Sequence, residues 1–306
     1  MRGSVSELEL DILYARAKTR LWEKMARLRG VPGLSVSDFG TRRRHSFLWH
    51  EYVISAMRDT LGEGFTGTSN AYLAYKHDLE AIGTNGHELP MAMAALANDE
   101  DELRSAQYRL LELWQQTYQG ELLILLPDTF GTTQFLRNAP GWVANWTGLR
   151  IDSKNAYEAG DEYIAWLEHL GRDPRQKRLI ASDALDVEQI LSLHVYFGGR
   201  IQNGASPEDF CCAGDFLDRK RWSPHRRIRF SAGWGTLLTN DFRSCNPRDD
   251  DSFNPVSLVC KMSEVDGRPA VKLSDNYRKA MGPSAEVERY RRIFGIEGVA
   301  DVPVTV

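Results

Sequence analysis

One unit recurs along this chain and limits what it can become. It is a short apolar or β-branched stretch, then a polar cluster with Gly, Ser, Thr or Asp, then a stretch with helical spacing. Seven clusters follow one another: Phe39-Gly40-Thr41-Arg42-Arg43-Arg44, Gly67-Thr68-Ser69-Asn70, Gly83-Thr84-Asn85-Gly86-His87-Glu88, Pro127-Asp128-Thr129, Arg150-Ile151-Asp152-Ser153, Ala181-Ser182-Asp183 and Ser231-Ala232-Gly233-Trp234-Gly235-Thr236. Leu122 to Leu126 and Arg178 to Ala181 read as strands entering their clusters, and Ala156 to Leu170 and Val187 to Tyr196 as helices between them. Wholly apolar strands separated by helices belong to parallel sheets covered on both faces. In a β/α barrel the strand ends all open onto one face, where the loops build a shared site. The expectation is an α/β fold in which seven polar strand ends converge.

The flanks depart from this rhythm. Leu10, Leu13, Tyr14, Ala17, Leu21, Met25 and Leu28 recur at helical intervals, so 8–28 reads as an amphipathic helix within an N-terminal segment, 1–30, ahead of a barrel over 31–247. Residues 202–227, with Asn203-Gly204, Ser206-Pro207 and Ser223-Pro224, read as an inserted surface loop. Further on, Val256 to Met262 and Pro269 to Leu273 surround Asp266-Gly267, the pattern of a β-hairpin, and Ser284 to Phe294 reads as a final helix. A half-exposed hairpin does not continue a parallel barrel, so 248–306 is assigned to a second, smaller layer.

Charge and composition narrow the function classes. Thirty-eight Lys plus Arg against 42 Asp plus Glu give a net charge of -4. That balance argues against a dedicated nucleic-acid binder, and the run Arg219-Lys220-Arg221 reads as solvated surface. No apolar run approaches the roughly 20 residues of a membrane span, and the N-terminus lacks the apolar core of a secretory signal, so the expected compartment is the cytoplasm. Cys211, Cys212, Cys245 and Cys260 show no zinc or CxxC spacing and read as reduced packing residues.

Four groups carry potential chemistry. His87 stands between a glycine-rich turn and Glu88 at an expected strand end, where an imidazole serves as base or nucleophile; a hydrogen-bonded structural histidine is the alternative. The other six histidines have no comparable setting. Arg42, Arg43 and Arg44 offer guanidinium forks for carboxylate or phosphate, or simply a solvated charge run. Asp128, Asp152 and Asp183 each end an expected strand, so the fold would bring three carboxylates together unless each merely caps a helix. Gly233, Gly235 and Thr236 present backbone amides and a hydroxyl late in the barrel, where phosphate sites are often found, or else form a plain tight turn.

Taken together and in order, these clusters resemble the nicotinate phosphoribosyltransferase family, the match extending to Lys272-Leu273-Ser274-Asp275. The resemblance implies an incomplete seven-stranded α/β barrel of the type II phosphoribosyltransferase kind, packed on part of a small α+β sandwich. It implies joining nicotinate to phosphoribosyl pyrophosphate, with ATP as co-substrate, Mg²⁺ bound with phosphoribosyl pyrophosphate, no metal ligand set of the protein's own, and a homodimer without nucleic-acid or membrane partners. On the matching positions, His87 would be transiently phosphorylated, with Asp128 and Glu88 holding its ring. Phe39, Arg42 and Ser69 would face the pyridine, Arg150, Asp152 and Asp183 the ribose and pyrophosphate, and Gly233, Gly235 and Thr236 the 5′-phosphate.

This chain departs from the family pattern in having no counterpart of a Thr-Asp-x-Tyr element of the family's longer N-terminal region. It also has Lys154-Asn155 after Asp152-Ser153, where many members have Gly-Asp or Ala-Pro-Pro. Two alternatives stay open: a non-catalytic homologue acting as a binding or interaction module, and a phosphoribosyltransferase for another pyridine such as nicotinamide.

Overall fold

Short strands that run into the polar clusters pair in parallel. The computed structural model describes residues 6–198 and 228–304. Six strands, β1 (Val36–Asp38), β2 (Phe65–Thr68), β3 (Ile124–Leu125), β4 (Gly148–Ile151), β5 (Arg178–Ala181) and β6 (Arg229–Trp234), form one sheet in the order β2-β1-β6-β5-β4-β3. All five ladders are parallel, with Leu149 opposite Leu179 and Val36 opposite Ala232. A parallel bridge between Thr68 and Ala81 adds a seventh chain segment outside β2. It rests on Gly67, whose φ of +139° disfavours any side chain and whose added Cβ would lie 2.3 Å from the Glu80 carbonyl oxygen. Among the described residues no ladder joins this segment to β3, so the curved sheet has a seam.

Helices cover the sheet as the spacing predicts. Helix α1 (Glu7–Leu28) opens on a capping box of Ser6 and Glu9 and buries Leu13, Ala17, Leu21, Met25 and Leu28. These join the main apolar core with α2 (Phe47–Leu61), α7 (Ala156–His169), α8 (Val187–Gly198) and the strand interiors, so α1 is built into the barrel layer. Helices α3 (Ala71–His77), α6 (Thr132–Asn138) and α9 (Thr236–Thr239) add to this core, whereas α4 (Glu88–Ala95) packs Met91, Ala94 and Ala95 toward the C-terminal layer and α5 (Glu100–Thr117) is shared between the two. The helix caps come from Asn70 and Asn155, and Asp186 accepts from the Gln189 N–H, which frees Asp128, Asp152 and Asp183 from capping.

The C-terminal hairpin is shorter than its sequence pattern. Only β7 (Glu264–Val265) and β8 (Arg268–Pro269) pair antiparallel around Asp266-Gly267. Val256, Leu258 and Val259 are exposed, because 254–263 finds no neighbouring strand. That stretch is instead pinned by side chains, Asn240 donating to the Val256 carbonyl at 3.2 Å and Arg42 to the Leu258 carbonyl at 2.7 Å. Helix α10 (Ser284–Phe294) packs Val287, Tyr290 and Phe294 with Val271, Leu273 and Phe130 as a second, smaller core. The expected insertion over 202–227, Cys211, Cys212 and the run at Arg219 lie outside the described residues. Cys245 is buried and Cys260 exposed, both as thiols. No helix among the described residues is long and apolar enough to cross a membrane.

Candidate active site

The strand ends converge where the two edges of the sheet face each other. The segment after Ala81 carries His87 and β3 runs into Asp128, and across the seam His87 Nε2 meets Asp128 Oδ1 at 2.8 Å, with both side chains buried. Ser153, after β4, donates to Asp128 Oδ2 at 2.6 Å, and Lys272 Nζ lies 3.6 Å from the same oxygen. Burial alone would raise the Asp128 carboxyl. The charges of His87 and Lys272 and the hydrogen bonds from His87 and Ser153 outweigh that and hold it well below the ordinary carboxylate range. The acid is therefore an anion placed to accept the imidazole Nε2–H, and in the neutral ring that pairing puts the lone pair on Nδ1.

Glu88 does not touch the His87 ring in this structure. Its carboxylate accepts from Lys261 Nζ at 2.8 Å, and that ammonium lies 3.4 Å from His87 Nδ1. Asp152 is the second acid near the imidazole, with Oδ2 3.7 Å from Nε2. One oxygen each of Asp128 and Asp152 and one nitrogen of His87 lie within 4.8 Å of one another. His87 Nε2 is already committed to Asp128, so carboxylate oxygens are the donors that remain for a cation.

Arg150 is the hub of the opposite wall. Its Nε donates to Ser182 at 2.8 Å, Nη1 to Thr84 at 2.9 Å and Nη2 to Asp152 at 2.5 Å. The guanidinium carbon lies 5.4 Å from the centre of the Phe39 ring. Phe39 packs flat against β6 because position 233 has no side chain: a Cβ on Gly233 would stand 2.7 Å from the ring. Asp152 is opposed by burial, yet Arg150 keeps it below its ordinary value in spite of Asp128. Asp183 goes the other way: burial raises it, the neighbouring Asp152 and Asp128 charges add to the rise, and Lys279 at 2.6 Å only partly offsets them.

Of the arginine triplet, Arg42 is exposed on the Leu258 carbonyl, whereas Arg43 turns inward to Thr236 Oγ1 at 3.2 Å and feels the charges of Asp152 and Asp183. Ser69 shares a 2.7 Å hydrogen bond with Thr41. Gly233 and Gly235 flank the buried Trp234, and Thr236 begins α9 beside Arg43.

Sequence reasoning missed two sets of residues. His50, set aside for lack of context, is fully buried with Nε2 2.8 Å from Asp38, whose carboxylate also accepts from Thr68 Oγ1 at 2.6 Å and the Gly40 N–H at 2.8 Å. This acid ties the Phe39 loop to β2. The other set is Lys261, Lys272 and Lys279, which reach Glu88, Asp128 and Asp183 from the C-terminal layer. The Lys272-Leu273-Ser274-Asp275 run was the one available signal for them. Lys154, at the departure from the family pattern, bonds Thr133 at 2.8 Å and Glu162 at 2.6 Å and leaves Ser153 and Asp152 in place.

Residues 34–206 and 215–298 match the model of the Nicotinate phosphoribosyltransferase (NAPRTase) family. Among solved structures the chain is similar to nicotinate phosphoribosyltransferase from Vibrio cholerae, at 33% identity and a TM-score of 0.77, covering 94% of this chain and 62% of that one. It is similar to the Porphyromonas gingivalis enzyme at 28% identity and 0.74, covering 92% and 64%. A putative nicotinate phosphoribosyltransferase from Saccharomyces cerevisiae matches at 27% identity and 0.72, covering 90% and 62%. The chain thus spans a little under two thirds of the length of these relatives.

Proposed function

Since the chain belongs to the nicotinate phosphoribosyltransferase family, we propose that it joins nicotinate to phosphoribosyl pyrophosphate in NAD salvage, giving nicotinate mononucleotide and pyrophosphate, with ATP hydrolysis driving the reaction. The observation that carries this reading is the buried His87–Asp128 pair at the seam, with Lys261 beside the free ring nitrogen. In the ATP step His87 Nδ1 attacks the γ-phosphorus, an N–P bond forms, and the P–O bond to ADP breaks with its electron pair on ADP. Asp128 meets the positive charge that the phosphorylated ring acquires. Lys261 supplies a cation for the incoming phosphoryl oxygens.

In the transfer step the nicotinate ring nitrogen attacks C1 of the phosphoribosyl group as the C1–O bond to pyrophosphate breaks. The sugar passes through a cation-like state that Asp152, held ionised by Arg150, stabilises in this reading. Phe39 offers a ring face to the pyridine, Ser69 and the arginines of the 42–44 run its polar rim, and Gly233, Gly235 and Thr236 the 5′-phosphate. The carboxylates of Asp152 and Asp183 would hold Mg²⁺ brought with phosphoribosyl pyrophosphate, because an oxygen-seeking dication there would relieve the repulsion that helps raise Asp183; it would supply neutralisation of the diphosphate charge. The protein works as a cytoplasmic homodimer in this reading. Phe47, Leu48, Tyr52, Tyr72 and Tyr75 stand exposed on α2 and α3 as an apolar surface, and light scattering reads the assembly.

The test is nicotinate mononucleotide formation with and without ATP, beside His87→Ala. ATP-stimulated product that the variant loses is the expected result. Full ATP stimulation in the variant would remove the phosphohistidine, and phosphoribosyl pyrophosphate binding without turnover in a folded protein would point to a binding module.

A further inference from the structure

Ser153 follows Asp152 at the end of β4, in a stretch whose neighbours invite a role at the ribose. Its hydroxyl, however, is used inside the protein. It donates to Asp128 Oδ2 at 2.6 Å and accepts the Asp275 N–H at 3.1 Å, while Asp275 Oδ2 stands 3.5 Å away. We propose that Ser153 is a positioning residue that fixes the tautomer of His87 through Asp128, and that the C-terminal layer sets Ser153 through Asp275.

A hydroxyl has one proton and two lone pairs. The Asp275 N–H occupies a lone pair, so the proton must go to a carboxylate, and Asp128 is nearer than Asp275 by almost an ångström. Asp275 has its own donors: the Thr132 N–H to Oδ1 at 2.7 Å and Thr132 Oγ1 to Oδ2 at 2.6 Å. Lys154, the residue after Ser153, directs its ammonium away from this cluster, to Thr133 and Glu162. With Ser153 and Lys272 on Oδ2, Oδ1 is left to accept His87 Nε2–H. That places the lone pair at Nδ1, beside Lys261. Without the Ser153 proton, Asp128 is free to turn toward Lys272, and the imidazole loses the partner that selects one tautomer.

The inference rests on the reading of His87 as phosphoryl acceptor, and its test separates the two. Protein labelled with ¹⁵N-histidine is compared as wild type, Ser153→Ala and Ser153→Thr, with the His87 signals assigned from His87→Gln. The expected spectrum shows protonated Nε2 and unprotonated Nδ1 in wild type, mixed tautomers in Ser153→Ala, and the wild-type pattern restored in Ser153→Thr. In parallel, label transfer from γ-labelled ATP to the protein should slow about 10- to 100-fold in Ser153→Ala, with KM for phosphoribosyl pyrophosphate within about twofold of wild type. An unchanged tautomer pattern in Ser153→Ala overturns the proposal. So does a KM raised about tenfold with phosphorylation unslowed, which would make Ser153 a ribose ligand. If wild type takes no label, the phosphohistidine reading fails and the tautomer spectra alone decide. Should Ser153→Ala not fold, Ser153→Cys, of similar size and a weak donor, takes its place with the same expectations.

Discussion

Replacing Asp275 by Asn tests how the protein manages its buried acids. Asp275 is about 1% exposed, and burial first, then the Asp128 charge, push its carboxyl up to about 6 against the two bonds from Thr132. An acid whose folded pKa lies above its unfolded value binds more protons when folded. Its contribution is complete below the unfolded pKa of 3.8 and is lost as pH rises through about 6. A rise of about two units corresponds to about 3 kcal/mol. The asparagine carries no charge, still accepts from the Thr132 N–H, and leaves the backbone N–H to Ser153 untouched. Relative to wild type, Asp275→Asn should therefore gain most of this, about 2.4 kcal/mol, between pH 4 and pH 7.5. At roughly 2.1 cal/mol/K per residue of unfolding entropy, that is a relative rise of about 4 °C in Tm. Differential scanning at matched rates across this range reads it. A variant whose Tm difference from wild type does not change with pH, or moves against it as pH rises, would refute the argument, because Thr132 would then be holding Asp275 ionised at no cost.

Arg150→Lys keeps the charge but leaves only one flexible ammonium for Ser182, Thr84 and Asp152, so KM for phosphoribosyl pyrophosphate should rise roughly tenfold or more in steady-state assays. Gly67→Ala puts a Cβ against the Glu80 carbonyl at a positive φ and should cost about 2–4 kcal/mol, visible as a Tm lowered by several degrees; an unchanged Tm would mean that Ala81 is not held against β2. Arg43→Ala should reduce kcat/KM roughly tenfold and Arg42→Ala less than about threefold, since only Arg43 turns toward Thr236 and the acids; the opposite ranking would show that the exposed Arg42 swings in with substrate.

The parallel sheet was legible because its strands are short and run into the polar clusters; β5 and α10 occupy the residues that their patterns indicate. Convergence of Asp128, Asp152 and Asp183 follows from topology alone, since parallel strands must end on one face. Pairings were not legible. His87 and Asp128 stand 41 residues apart on opposite edges of the sheet, and no local pattern says which edge meets which. Glu88, adjacent to His87 in sequence, was the natural candidate for its ring, yet α4 begins there and turns the carboxylate toward Lys261. Residues 256–262 carry a strand-like pattern, but a strand needs a partner edge, and this stretch is held by Arg42 and Asn240 instead. The Asp38–His50 pair was invisible because burial, not spacing, gives it meaning.

The seam has one more consequence. Where a closed barrel would continue its ladder of backbone bonds, the two edges of this sheet meet through the hydrogen bond between His87 and Asp128, so opening of the edges and loss of the imidazole's partner are one coordinate. Edge segments open locally at far lower free energy than a core strand such as β6. Amide exchange near Ile82 or Ile124 should therefore track the pairing of His87 with Asp128, and warming should release the imidazole while the interior of the sheet is still intact.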